Sequence, residues 1–517
     1  MYKEIQIRLC PQDAGDEQKL AHCAAREMKV AADRICQVDV VRRSIDARHR
    51  EVMFNMTLGV HVDHVEVQEP VFVPQYHDVS SAEPVVVVGA GPAGLFAALR
   101  LVELGFKPVV LERGKAVEDR KKDLNLLYKT GCVDADSNFG FGEGGAGTFS
   151  DGKLFTRSKK RGDVRRTLEI LVHHGANPRI LVDAHPHVGT DKLPGVIVNM
   201  RKTIEGCGGE FHFSTRVTDL MMQGNRVCGV IAGDKEFPAS QVILATGHSA
   251  RDVYRMLNAR GVALEPKGFA VGLRLEHPQH DIDCIQYHTP QGRGQWLPAA
   301  EYSFVSKVED RGVYSFCMCP GGVVVPAATG AEQQVVNGMS SSARNTQWAN
   351  SAMVTSVNRE ELEHMGYQGL FAGLDFQEAL ERRAWEESGA LRAPVQVMTD
   401  FMNDRLVSEL PKTSYRPGVE ASRISGWFPD ILYRRMVEGF RQFGKKAPGF
   451  VSERALLLGV ETRTSSPLRI PRNEVCMHVE VEGLYPCGEG AGYAGGIISS
   501  AMDGEKCAEN IGKQKNI

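Results

Sequence analysis

Apolar residues recur at every second position from Val52 through Phe54, Met56, Leu58 and Val60 to Val62. Side chains along a strand point alternately to its two faces, so this run predicts a strand with one face buried. Ile5, Ile7 and Leu9 repeat the pattern over a shorter span, and residues 16–33, rich in Ala, Glu and Lys, predict a helix. The order is β-α-β-β, and a small ferredoxin-like α+β domain is expected over residues 1–80. Pro70, Pro74 and the stretch Ser80-Ser81-Ala82-Glu83-Pro84 read as the linker that follows.

The pattern then changes. Val85-Val86-Val87-Val88 has no alternation, as in a strand covered on both faces of a parallel sheet. It runs into Gly89-Ala90-Gly91-Pro92-Ala93-Gly94, an Ala/Leu-rich helix from Leu95 to Leu104, and a second strand, Val109-Val110-Leu111. Residues 123–153 are Gly-rich and irregular, 163–175 look helical, and 195–246 read as a helix and short strands ending in Val242-Ile243-Leu244. Strand-like pieces follow over 265–326, among them Phe269 to Leu275 and Val313 to Cys317, before a more helical stretch, 357–445. Leu484-Tyr485, a Gly cluster and a helix from about Ile497 close the chain. The expected fold class is α/β. A Rossmann-type domain occupies 81–255 and 455–517, an inserted α+β substrate or cap domain occupies 256–454, and the small α+β domain precedes both.

Composition narrows the partners. The net charge of −3 gives no overall pull toward nucleic acid or an anionic membrane, so neither is expected as a partner. The basic runs Lys159-Lys160-Arg161 and Lys445-Lys446 read as solvated surface. The 12 Cys include no CxxC, which argues against a zinc ribbon or a thioredoxin-like relay, and no metal is expected. No run approaches the ~20 apolar residues of a membrane helix, and the start MYKEIQIRL carries no apolar signal core. A cytoplasmic protein with reduced thiols is the expectation.

Gly89-x-Gly91-x-x-Gly94, between a buried strand and a helix, carries the clearest chemistry. Gly89 makes the tight turn, Gly91 lets the backbone approach a pyrophosphate, and Gly94 lets helix and strand pack closely. Pro92 and Ala93 open the helix, whose free N–H groups and dipole favour a phosphate. Glu112 ends the second strand 18 residues after Gly94 and is placed to accept from adenosine ribose hydroxyls, with Arg113 beside it.

Three later segments bear on which dinucleotide is held. Phe141 to Lys153 supplies Gly144, Gly145, Gly147, Thr148, Ser150, Asp151 and Lys153 to a second phosphate or a ring edge. Val242 to Gly247 is a buried strand ending in Ala245-Thr246-Gly247. Leu484 to Gly496 carries Gly488, Glu489, Gly495 and Gly496 before Ile497 opens the last helix. At this point the chain resembles the glutathione-reductase-like flavoproteins of the second type, in which one Rossmann-type domain binds FAD. It resembles still more closely an uncharacterised FAD-dependent dehydrogenase family, through residues 141–154, 187–193, 245–252, 316–322, 461–467 and 484–496. The resemblance implies FAD as cofactor. It implies that Glu489, where most such proteins carry Asp, contacts the ribityl or pyrophosphate part, that amides near Gly495 and Gly496 face the flavin pyrimidine, and that Val217 touches the cofactor.

No second GxGxxG domain for NAD(P)H is found, since Gly321-Gly322 and Gly492-x-x-Gly495 lack the strand–turn–helix context with a trailing acid, so electrons are expected from a small-molecule substrate, a transient NAD(P)H in a shared cleft, or a protein donor. His248, directly after the ATG turn, His187, and Cys319 of Cys317-Met318-Cys319 are the catalytic candidates. A thiol pair on a strand should face one way, a geometry that rarely suits a disulfide. Arg274 and Arg463 are weaker candidates for an acidic substrate. The leading expectation is an oxidoreductase that moves hydride between a substrate and flavin. The alternatives are a flavin-dependent RNA-modifying enzyme, disfavoured by the near-neutral charge, and a non-catalytic flavin-binding scaffold.

Overall fold

The computed structural model describes residues 1–65, 72–156, 162–389, 391–406 and 409–515. Pro70 and the Lys159–Arg161 run lie outside the described residues.

Among the described residues, a five-stranded parallel sheet positions the site. Its order is Leu484–Pro486, Val242–Leu244, Pro84–Val88, Lys107–Leu111, Glu210–His212. The unbroken Val run is buried on both faces, as its lack of alternation predicts. Helix Pro92–Glu103 is apolar nearly all round because it is covered twice. The sheet lies on one side and the last helix, Ile497–Lys515, on the other. Gly504 in that last helix permits the contact, since a Cβ there would stand 2.1 Å from the Ala93 carbonyl oxygen.

The second large sheet comes from the middle of the chain. Its seven described strands run in the order Val305–Val308, Arg311–Cys319, Trp348–Val357, Phe269–Pro278, Leu456–Glu461, Ala393–Val397, Val419–Ala421. All neighbours are antiparallel except the last two. Helix Asp430–Lys446 packs its Leu432, Met436, Phe440 and Phe443 against the core of this sheet. The stretch read as mainly helical, 357–445, does hold the helices Ala372–Ser388 and Asp430–Lys446, with two short strands between them.

The N-terminal strands Tyr2–Leu9, Met53–Val62 and Ile35–Asp46 form an antiparallel sheet in that spatial order, covered by helix Glu17–Met28. This is the β-α-β-β order read from the sequence. Among the described residues it is one helix and two ladders, short of a full ferredoxin-like unit. Arg43 ties it to the rest of the chain through Asp183 at 2.6 Å, and His288 reaches the Ala47 carbonyl at 2.9 Å. No helix of the described residues is long and apolar enough to cross a membrane.

Candidate active site and cofactor cradle

The C-terminal ends of the parallel strands open onto a cavity of about 720 Å³, within the roughly 300–1,000 Å³ common for small-molecule and cofactor sites. Crevices at these strand ends are where open α/β sheets bind ligands.

The fingerprint forms one wall, and its three glycines do different work. A Cβ on Gly89 would stand 2.5 Å from the Ala245 carbonyl oxygen, and one on Gly94 only 1.8 Å from the Gly89 carbonyl oxygen. These two let backbone meet backbone. At Gly91 a Cβ would meet only the Gly145 Cα, at 3.9 Å, so this glycine leaves room on the cavity side. Helix Pro92–Glu103 begins there with no side chain capping it, which leaves its first amides for a ligand. Ala93, Gly145 and Gly147 share the wall, whereas Gly94, Gly144 and Thr148 lie behind it. Gly144 and Thr148 serve the loop itself. A Cβ on Gly144 would run into the Thr148 hydroxyl, which donates to the Glu143 carbonyl at 2.9 Å.

Glu112 stands on the cavity wall, 5% exposed. Its carboxylate already accepts from three backbone amides: Gly114 at 2.9 Å and Gly142 at 3.1 Å on Oε1, and Ala90 at 2.8 Å on Oε2. It therefore fastens the fingerprint turn to the Gly-rich loop and keeps acceptor capacity on Oε2 for a further donor. Arg113 is tied to Asp136 and Asp252 and lies over the Phe141 ring at 4.1 Å.

Arg120, which sequence reasoning missed, organises the Gly-rich loop. It is fully buried and donates to five backbone carbonyls: Asn138 at 2.8 Å, Phe139 at 2.9 Å, Gly142 at 3.3 Å, Glu143 at 2.9 Å and Gly145 at 2.8 Å. Burial pushes its pKa down to about 10, opposed by Glu112 and Glu143, so it stays charged at neutral pH. Further along the loop, Ser150 bonds the Gly147 carbonyl, and Asp151 is held by Arg344. Both line the cavity with their polar atoms engaged. Lys153 also lines it, and no described partner holds its ammonium.

The last segment closes the cradle. Gly488, Glu489, Gly495, Gly496 and Ile497 line the cavity with Val217, Ala245, Thr246 and Gly247. A Cβ on Gly495 or Gly496 would meet nothing within 4 Å, so the start of the last helix stands open. Asp503, nearly two turns into that helix, accepts from the Gly488 amide at 2.8 Å and from Arg472. Asp503 also lies beside Cys487 and Cys507, with potential ligand atoms within 4.8 Å of one another. The Arg472 guanidinium and the Gly488 amide already occupy this carboxylate, so a cation is supplied there by the chain itself.

The catalytic candidates separate. His248 lines the cavity, with Nε2 3.0 Å from the Arg463 carbonyl and Nδ1 3.2 Å from Glu489 Oε2, out of line for a hydrogen bond. His187 stands off the cavity wall. Its Nε2 pairs with the Ser342 carbonyl at 3.1 Å, and burial, with Arg344 nearby, pushes its pKa below the ordinary histidine value. Cys319 is fully buried behind the wall, and Cys317 is on it. The expectation that both thiols face one way fails because the ladder slips between Phe316 and Cys319 and Cys317 takes φ +48°. The Cys319 thiol lowers the pKa of the Cys317 thiol against burial, helped by Lys153 and Arg274. Iodoacetamide should therefore alkylate Cys317 at a rate that levels off at a lower pH than for an ordinary thiol, which keeps accelerating to about pH 8.5. Lys153→Met should move that profile to higher pH.

Sequence reasoning also missed the far wall. His185 Nδ1 lies 3.0 Å from Glu301 Oε1. That bond raises the His185 pKa. Desolvation opposes charge on Glu301, but His185, Arg344 and Lys153 hold its carboxyl down to about 2. Arg274 is buried against Glu461 and Asn350, and Arg463 against Glu381, so neither guanidinium is free for a substrate. Glu381 also takes Arg251 and thereby joins helix Ala372–Ser388 to helix Arg251–Ala259 beside the ATG turn. Burial pushes Glu381 up, yet Arg251 and Arg463 bring it down to about 2. A folded pKa below the unfolded value of roughly 4.3 means the cluster stabilises at neutral pH and loses that contribution as pH falls from about 4 toward about 2. Glu381→Gln should cost about 3 kcal/mol at pH 7. Melting curves over this pH range should show the mutant's deficit shrinking with acidification.

A parallel-sheet cradle with an uncapped helix start, an open glycine on the cavity side and an acid at the second strand end defines a dinucleotide-binding protein. Residues 268–464 match the family described as FAD-dependent protein, C-terminal domain-like, and residues 1–61 match a domain of unknown function. The chain belongs to the same family as an uncharacterised protein of Clostridium beijerinckii, to which it is 40% identical over 507 residues, 94% of each chain. A probable electron transfer flavoprotein-quinone oxidoreductase of Escherichia coli, YdiS, is 30% identical over 192 residues, 37% of this chain and 42% of that one. A geranylgeranyl bacteriochlorophyll reductase-like protein of Thermoplasma acidophilum aligns over 84% of this chain and 80% of its own, with 13% identity and a TM-score of 0.34, too low to bear on function. FAD is the cofactor of this protein. The open face of Gly91, the uncapped start of helix Pro92–Glu103 and the spare acceptor of Glu112 fit it.

Proposed function

We propose that the protein is an FAD-dependent oxidoreductase that exchanges hydride with a small-molecule substrate in the cavity shared by the parallel sheet and the inserted seven-stranded sheet. The observation that carries this reading is the composition of that one cavity. The cofactor segments line one side, and His185, Glu301, Lys153 and Cys317 line another. A scaffold that only stored flavin would have no need for an ammonium unpaired among the described residues, a histidine–carboxylate pair and a thiol on the same space.

When bound, FAD supplies two-electron chemistry. The chain supplies the rest. The first amides of helices Pro92–Glu103 and Ile497–Lys515 offer positive partial charge to the phosphates and to the electron-rich ring edge. His185, its proton stabilised by Glu301, can give or take a proton at the cavity face. Lys153 can hold an anionic group of the substrate. The electron donor is proposed to be a nicotinamide that enters this cleft, since the sequence has no second fingerprint.

The test is to mix the purified yellow protein anaerobically with NADH or NADPH and follow the flavin band. Bleaching by either supports a nicotinamide donor. A band that only dithionite removes rejects that donor and leaves the substrate or a protein as the source of electrons. A flavin that even dithionite cannot reduce would reject the oxidoreductase reading.

A further inference from the structure

We propose that Cys317 and Cys319 are a redox-active pair, cycling between two thiols and a disulfide at the wall of the flavin cavity. The proposal rests on the oxidoreductase reading above and adds a second redox centre to it.

The two sulfurs divide the work of such a pair. Cys317 is on the cavity wall and open to a reactant, whereas Cys319 is fully buried directly behind it. On a regular strand, residues two apart are separated by ~6.6 Å with nearly parallel side chains, too far for the roughly 3.5–4.5 Å between Cβ atoms that a disulfide needs. This strand is not regular here. Phe316 faces Ala352 and Cys319 faces Asn350, so three steps on one strand oppose two on the other. The extra residue is a β-bulge, and bulges re-aim side chains. Cys317 takes the left-handed φ of +48° there, a conformation costly for a residue with a Cβ.

Arg274 holds the irregular turn in place. It is fully buried and donates to the Cys317 carbonyl at 2.9 Å and to Cys319 Sγ at 3.3 Å. Asn350 fixes its Nε at 2.9 Å, and Glu461 stands 3.4 Å from Nη1. Gly338 packs close against this guanidinium, where a Cβ would stand 2.1 Å from Arg274 Nη2. A buried arginine is therefore committed to the Cys319 sulfur and the Cys317 carbonyl at once. Lys153, unpaired among the described residues, adds positive charge on the cavity side. Together they favour one negative charge shared by the pair, the form that attacks or is oxidised.

The step balances with the cofactor present. The thiolate on one sulfur and the S–H bond of the other are replaced by an S–S bond. Two electrons and one proton leave the pair and pass to oxidised FAD, a two-electron acceptor. The reverse transfer restores the thiols. The chain then stores four electrons where flavin alone stores two.

The experiment is a reductive titration of the holoprotein. Wild type is oxidised with diamide, desalted, and titrated anaerobically with dithionite while the flavin band is followed. The expected uptake is four electrons per FAD for wild type and two for Cys317→Ser. In a parallel peptide map under non-reducing conditions, the oxidised wild type should show Cys317 and Cys319 unalkylated and joined. Uptake of two electrons by wild type, with both sulfurs alkylated, overturns the proposal. So does a four-electron uptake whose disulfide maps to Cys476, Cys487 or Cys507. A colourless protein would count against the flavin reading instead, and the peptide map would still decide whether the pair closes.

Discussion

Gly91→Val should give a folded protein without FAD. The backbone at Gly91 has φ −75° and ψ −176°, an extended conformation open to any residue, so the fold gains no strain from the change. A Cβ there meets only the Gly145 Cα at 3.9 Å, an ordinary contact. What a side chain fills is the space on the cavity side, where the pyrophosphate must approach the first amides of the helix. The apoprotein should melt within a few degrees of wild-type apoprotein, and FAD affinity should fall by at least about a hundredfold, or roughly 3 kcal/mol. Gly91→Ala should fall between the two. Gly94→Ala is the control, because its Cβ lands 1.8 Å from a backbone oxygen and damages the fold itself. Circular dichroism and bound-flavin absorbance separate the two outcomes. Retention of full flavin by folded Gly91→Val would remove the fingerprint from the cofactor site.

Arg120→Met should abolish both the Gly-rich loop and the cofactor. Five carbonyls would lose a donor, those of Asn138 and Phe139 the only one they have among the described residues, and each buried acceptor left unpaired costs about 1–3 kcal/mol. Relaxation of the loop will recover part of that, so a net loss of about 3–5 kcal/mol is expected, as for other buried charges whose network is broken. Arg120→Lys should recover little, because an ammonium has three donors and cannot span carbonyls from Asn138 to Gly145. The expected readouts are a lower Tm, protease cleavage within residues 134–156, and loss of yellow colour. A mutant that stays yellow with an unchanged Tm would show that the loop is held by something else.

The reasons why some of this was legible in the sequence and some was not are physical. The cradle was legible because each of its segments announces itself locally. A Val run flows into spaced glycines, an apolar strand ends in ATG, and a Gly-rich stretch precedes a final helix. Parallel strands Pro84–Val88, Val242–Leu244 and Leu484–Pro486 then bring those ends side by side. Arg120 was invisible because it sits in the polar helix sequence Val117-Glu118-Asp119-Arg120-Lys121-Lys122, where an arginine usually faces water. The far wall was invisible for a different reason. Strand Phe269–Pro278 is buried at nearly every position and Trp348–Val357 likewise, so neither shows alternation, and their pairing joins residues about eighty positions apart. His185, Glu301, Asn337 and Arg344 reach the cavity only through that pairing and the loops beside it. The bulge at Cys317 is a mismatch between two strands, and one strand's sequence cannot display it. His187 opens the motif 187–193, yet its ring pairs with the Ser342 carbonyl off the cavity wall, while His185, two residues earlier, lines the cavity.

The central claim is that this cradle holds FAD, and it is tested most directly by the flavin content of the purified protein. Visible absorption before and after denaturation, with the released cofactor identified by chromatography, should show one FAD per chain, bound without a covalent link. A well-folded protein that is colourless as purified and takes up no FAD on reconstitution would contradict it.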